Sequence, residues 1–93
     1  MAVGILTVTL RIPGVHSLKE KRSVLKSLLV RLRQKFNISV AEVGDQDKWQ
    51  SAVLGVACIS GNGALAHRLL EQVLNFIDQD ANILVTETDV EIL

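Results

Sequence analysis

The sequence predicts an α+β domain. It reads as a ferredoxin-like βαββαβ sandwich, a four-stranded antiparallel sheet in the order 4-1-3-2 with two helices on one face. Three observations carry this. Apolar residues recur at helical spacing in two stretches, Ser17–Phe36 and about Ala64–Gln79. The segments around them, Val3–Ile12, Ile38–Val43, Trp49–Ser60 and Asn82–Leu93, are rich in Val and Ile and bounded by turn residues. At 93 residues and 48% hydrophobic content, the chain is one domain, residues 1–93, with enough apolar material for a core.

Each element has its own signal. In Val3–Ile12, Leu6, Val8, Leu10 and Ile12 fall on one side and Thr7, Thr9 and Arg11 on the other, a strand with one buried and one more polar face. Pro13-Gly14 ends it. Ser17 and Glu20 then make an S-x-x-E capping box that starts the first helix. Leu18, Leu25, Leu28, Leu29, Leu32 and Phe36 share its core face, with Lys19, Arg22, Lys26 and Arg33 on one flank and Lys21, Arg31 and Lys35 on the other. Asn37 breaks the helix. The third strand is apolar on both sides through Val53, Leu54, Val56 and Ile59, and Asn62 caps the second helix, whose core face runs from Leu65 to Ile77. In the last strand Glu87, Asp89 and Glu91 alternate, so they share a face, where Arg11 could pair with them. Right-handed crossovers bring residues 12–19, 44–50 and 79–82 to one end of the sheet.

Charge is unevenly distributed. Residues 1–35 hold eight Lys and Arg against Glu20, and residues 36–93 hold Lys48 and Arg68 against nine acids. The split is either an interaction face or two halves that neutralise each other on folding. No apolar run reaches membrane-spanning length, the N-terminus lacks the marks of a signal peptide, and a single cysteine implies no internal disulfide. Those features predict a cytoplasmic protein.

The chain resembles the bacterial YlxP-like family, through H-S-L-K-E-K-R at His16–Arg22, V-A-E-V at Val40–Val43, D-x-W-Q at Asp47–Gln50 and L-G-V-A at Leu54–Ala57. The resemblance covers essentially the whole chain. It implies a small cytosolic ferredoxin-like protein whose genes often lie beside those for translation initiation factor two and ribosome-binding factor A. A role around translation or ribosome maturation is therefore implied, without a mechanism.

Seven of the ten basic residues lie in Ser17–Phe36. Cations in the last turn of a helix suit its dipole, whereas Lys19, Lys21 and Arg22 sit in the first turn, where the dipole disfavours them by roughly 0.3–1 kcal/mol each. They call for a negative partner, either an external phosphate backbone or Asp45, Asp47, Asp78 and Asp80 within the fold. The leading expectation is a non-enzymatic module binding structured RNA or a ribonucleoprotein through Lys19, Lys21, Arg22, Lys26 and Arg33, with His16, Asp47 and Trp49 shaping the end of that surface. Stacking readout of bases lacks its aromatics: there is no Tyr, Phe36 and Phe76 belong to helix core faces, and Trp49 at a turn either stacks or plugs the sheet end.

Two alternatives stand beside it. The open sheet face could serve a protein–protein adaptor or a homodimer. The His16/Trp49 end could form a small anion-binding site or enzyme. Pro13-Gly14-Val15-His16 occupies the place where acylphosphatases bind phosphate, but lacks their arginine-bearing pattern. Cys58 reads as a small core residue, and His16 and His67 have no second ligand at metal spacing. No cofactor or metal is expected.

Overall fold

The computed structural model describes residues 1–93. The elements are β1 (Ala2–Arg11), α1 (Leu18–Lys35), β2 (Ser39–Gly44), β3 (Ser51–Ser60), α2 (Gly63–Asp78) and β4 (Leu84–Ile92). They build one antiparallel sheet in the order β2-β3-β1-β4, the expected topology. β1 and β3 pair over their full length, from Ala2↔Ser60 to Arg11↔Ser51. β2 is shorter and covers only the half of β3 from Val53 to Ala57. Where β1 meets β4 the register slips between Thr9 and Leu10, and the Thr86 hydroxyl donates to the Thr9 carbonyl at 3.2 Å beside the irregularity.

The strand period decides what lies under the helices. Leu6, Val8, Leu10 and Ile12 of the first strand segment and Ala52, Leu54, Val56 and Cys58 of β3 are buried against α1 and α2. Leu25, Leu28 and Leu32 come down from α1, and Ala66, Leu70, Val73 and Ile77 from α2. Gly4 lets α2 sit close: a Cβ there would lie 3.0 Å from Cys58 Sγ and from Leu70 Cδ1, and 3.3 Å from Ala66 Cβ. The helix C-termini meet through Phe36 and Phe76, edge to face at 5.8 Å.

Both helix starts are capped by the residues the sequence points to. Ser17 Oγ accepts from Glu20 N at 3.1 Å, and Asn62 Oδ1 accepts from Leu65 N at 3.0 Å. The box at α1 is displaced by one residue, because the Glu20 carboxylate accepts from His16 N at 3.0 Å rather than from Ser17. The last strand starts later than expected, at Leu84, since Asp80, Ala81 and Asn82 make a turn closed by Ile83 N on the Asp80 carbonyl. No helix is long and apolar enough to cross a membrane.

Candidate nucleic-acid interface

The surface of α1 divides into three strips, each fixed by 3.6-residue periodicity. Lys21, Leu25, Leu28 and Leu32, spaced four, three and four apart, make the buried one. Arg31 and Lys35 face α2: the Arg31 guanidinium pairs with Asp80 at 3.1 Å, and the Lys35 ammonium lies 5.3 Å from the Phe76 ring centroid. Lys19, Arg22, Lys26 and Arg33 occupy the remaining flank, beside the outer edge of β2.

Lys21 therefore does not belong to the surface patch. It is 1% exposed, the one charged residue in the interior. Its ammonium donates to the Asp45 carbonyl and stands 2.9 Å from Glu42 Oε2. That approach is an ion pair without hydrogen-bond alignment, since Oε2 has no well-directed donor and the ammonium aims at the turn carbonyl. The residue lies one helical turn before Leu25, on the leucine seam itself, and a charge there must carry its own partners inside. Its counter-charge is internal, and it comes from β2 rather than from the loop acids alone.

Arg33 is half engaged. Its Nη2 donates to the Val40 carbonyl at 2.8 Å, and Gln46 Nε2 donates to the Glu42 carbonyl at 3.2 Å. These two side chains cap carbonyls on the free edge of β2, where another strand would otherwise pair. Lys19, Arg22 and Lys26 are exposed and take part in no ion pair or side-chain hydrogen bond. They follow one another at intervals of three and four residues, so the stripe is about 10 Å long.

Two of the three loops expected at this end do join. Ile12 N donates to the Gln50 carbonyl at 2.9 Å, and Gln50 Nε2 donates to the carbonyls of Pro13 and Val15 at 3.2 and 3.0 Å. The α2–β4 turn does not reach the first turn of α1; its Asp80 meets Arg31, about three helical turns further on. Asp45 holds the β2–β3 turn together, with φ at 56°, a left-handed conformation that Asp tolerates better than most residues. Ser51 Oγ donates to its Oδ2 at 2.6 Å and Lys48 lies 3.4 Å from Oδ1. The Ser51 hydroxyl is the largest influence holding the Asp45 carboxyl below its ordinary value of 3.8; partial burial opposes it, and Lys48 and Lys21 add to it.

Asp47 and His16 are exposed, and Trp49 is 54% exposed, so it does not plug the sheet end as a turn tryptophan commonly does. In the β1–α1 loop the Val15 N–H is directed to the Ile12 carbonyl and the His16 N–H to Glu20, so two donors an anion would need are already engaged. On the far side of the sheet, Glu87, Asp89 and Glu91 do share a face, but Arg11 makes no pair with them, because it stands opposite Leu84 where the register has slipped.

Comparison with known proteins adds kinship. A family model described as "Protein of unknown function (DUF503)" matches residues 3–90. The "Uncharacterized protein YlxP" of Bacillus subtilis (strain 168) is 45% identical over 75 residues, covering 81% of this chain and 82% of that protein. Among solved structures, the de novo designed protein Foldit4 superposes with a TM-score of 0.53 over 100% of this chain and 97% of its own, at 16% identity, a likeness of fold alone.

Proposed function

The chain belongs to the family of proteins of unknown function DUF503, and we propose that it is a non-enzymatic module that binds the phosphate backbone of structured RNA, a reading supported by its surface chemistry, with the setting in translation implied by the family resemblance alone. The observation that carries this is the unpartnered stripe Lys19, Arg22 and Lys26. Most other cations of α1 have a use within the fold: Lys21 in the interior, Arg31 on Asp80, Arg33 on a β2 carbonyl. Helix electrostatics gives no account of Lys19 and Arg22, since both stand near the positive end of the helix dipole. A phosphate chain laid along this flank would meet three cations and the positive end of the dipole together.

The recognition is by backbone and shape. No Phe, Tyr or Trp lies on the sheet, and of Phe36, Trp49 and Phe76 only Trp49 is exposed, at the end where the stripe begins. The test is binding of a fluorescent structured RNA as a function of salt, for the wild type and for the Lys19→Glu/Arg22→Glu/Lys26→Glu variant. Three phosphate contacts give a log–log salt slope of roughly −2 to −3. The triple variant should lose binding while its thermal midpoint stays within a few degrees. Equal binding by wild type and variant, or a salt slope near zero, would refute the reading.

A further inference from the structure

We infer that the open face of the sheet is a self-association surface, on which a second copy packs with its two-fold axis along the strands. No helix covers this face. It carries apolar side chains from β1, β2 and β3, with Val3, Ile5, Val53 and Ala57 half-buried and Val43 and Ile59 59% and 67% exposed. Glu87, Asp89 and Glu91 line it along β4. Those carboxylates repel a phosphate chain, so the RNA-binding reading makes no use of this face, and the two proposals stand apart.

The area suits a weak dimer. The strands contribute 10, 6, 10 and 9 residues. At about 3.3 Å per residue and about 4.8 Å between strands, the sheet presents roughly 550 Å² per copy. Two copies would bury about 1,100 Å², just above the lower limit for a specific interface. Ala41, Gly55, Thr7 and Asp89 form one row across all four strands, and the Val43 side chain lies over Gly55, where a Cβ would come within 3.2 Å of it.

Charge then selects the arrangement. A two-fold axis across the strands would stack β4 on β4, setting three carboxylates against three. An axis along the strands sends each row onto itself with its ends exchanged. Asp89 of one copy then lies over Ala41 of the other, and Glu91 over Ser39. This sets the acidic edge of one copy against the basic edge of the other. Ala41 and Ser39 lie on β2, and the Arg33 guanidinium stands at the β2 edge with one nitrogen on the Val40 carbonyl. Glu87, Asp89 and Glu91 have no ion pair within their own chain. Part of the imbalance between basic and acidic halves is settled within one copy, by Lys21 with Glu42 and Arg31 with Asp80, and the acidic row of β4 meets its counter-charge at the β2 edge of the second copy.

Sedimentation equilibrium from about 5 to about 500 µM tests this on the intact chain. The wild type should dimerise with a Kd in the tens of micromolar. Ala41→Glu sets a carboxylate opposite Asp89 twice per dimer, and at about fivefold per contact weakens association about twenty-five-fold. Asp89→Lys in the Ala41→Glu background should restore it, and Ala41→Lys alone should tighten it. Position 41 is exposed, so circular dichroism should report an unchanged fold, and Ala41→Lys remains informative if Ala41→Glu does not fold. A monomer at every concentration overturns the inference. So does Ala41→Glu without effect beside an Asp89→Asn that tightens, which is the signature of β4 stacked on β4.

Discussion

Replacing Lys21 by Met removes a charge from the interior while keeping a side chain that can fill its place. Lys21 is 1% exposed, and Glu42, its partner at 2.9 Å, keeps 20% of its side-chain surface. Removing one member of a fully buried pair costs about 3–5 kcal/mol, mostly through the charge left behind. Glu42 reaches some water, which lowers that figure to about 2 kcal/mol. The lost charged hydrogen bond to the Asp45 carbonyl adds about 1 kcal/mol, near the low end, because Lys48 N still donates there at 3.1 Å. The sum is about 3 kcal/mol, or a fall in Tm of about 12–24 °C for a domain of this size. Urea denaturation followed by circular dichroism measures it. Glu42→Leu alone should cost about 3–5 kcal/mol, since it leaves the 1% exposed Lys21 charge without its counter-charge, and Lys21→Met with Glu42→Leu should recover most of the loss, since the interior then holds no unpaired charge. Lys21→Met within 0.5 kcal/mol of wild type, or a double variant whose loss equals the sum of the singles, would refute the stabilising role of the Lys21–Glu42 pair. RNA affinity, referred to the folded fraction, should not change.

Other outcomes follow from the packing. Gly4→Ala should destabilise by about 1–3 kcal/mol in the same assay, because its Cβ would press on Cys58 Sγ and Leu70 Cδ1 at 3.0 Å. Leu70→Ala, beneath the same contact and 1% exposed, should cost about 2–5 kcal/mol in urea denaturation. Ser51→Ala tests the Asp45 carboxyl. A folded-state pKa below 3.8 contributes stability that is present above the unfolded value and is lost as pH falls through the lower folded value. Wild type and Ser51→Ala should therefore differ in Tm at pH 6 and converge as pH falls below the lowered folded-state value, where the carboxyl is protonated in both states. Arg31→Ala should cost about 1 kcal/mol by thermal melt, combining an exposed ion pair to Asp80 with a ring contact 5.9 Å from the Phe76 centroid.

The sequence by itself determined most of what depends on local period, although Leu65, read onto the core face of α2, is 46% exposed. Alternation placed Leu6, Val8 and Leu10 inward and set Glu87, Asp89 and Glu91 on one face. Helical spacing and the short polar residues Ser17 and Asn62 set where both helices begin. The stripe Lys19–Arg22–Lys26 was legible in the same way, because those side chains point outward and answer to nothing else in the chain.

What the tertiary structure alone decided is which charges meet. Lys21 stood in the sequence as one more cation beside Lys19 and Arg22. Its position four before Leu25 was the one local sign that it lies on the buried seam, and a charge is accepted there only because Glu42 and the Asp45 carbonyl arrive from another element. Asp80 was expected near the first turn of α1 and met Arg31 instead, since the helix ends converge on Phe36 and Phe76. Trp49 is exposed because Gln50, not the indole, closes the sheet end with its hydrogen bonds. Periodicity fixes the direction of a side chain about its own element. The partner it finds depends on the offset between elements, and packing sets that offset.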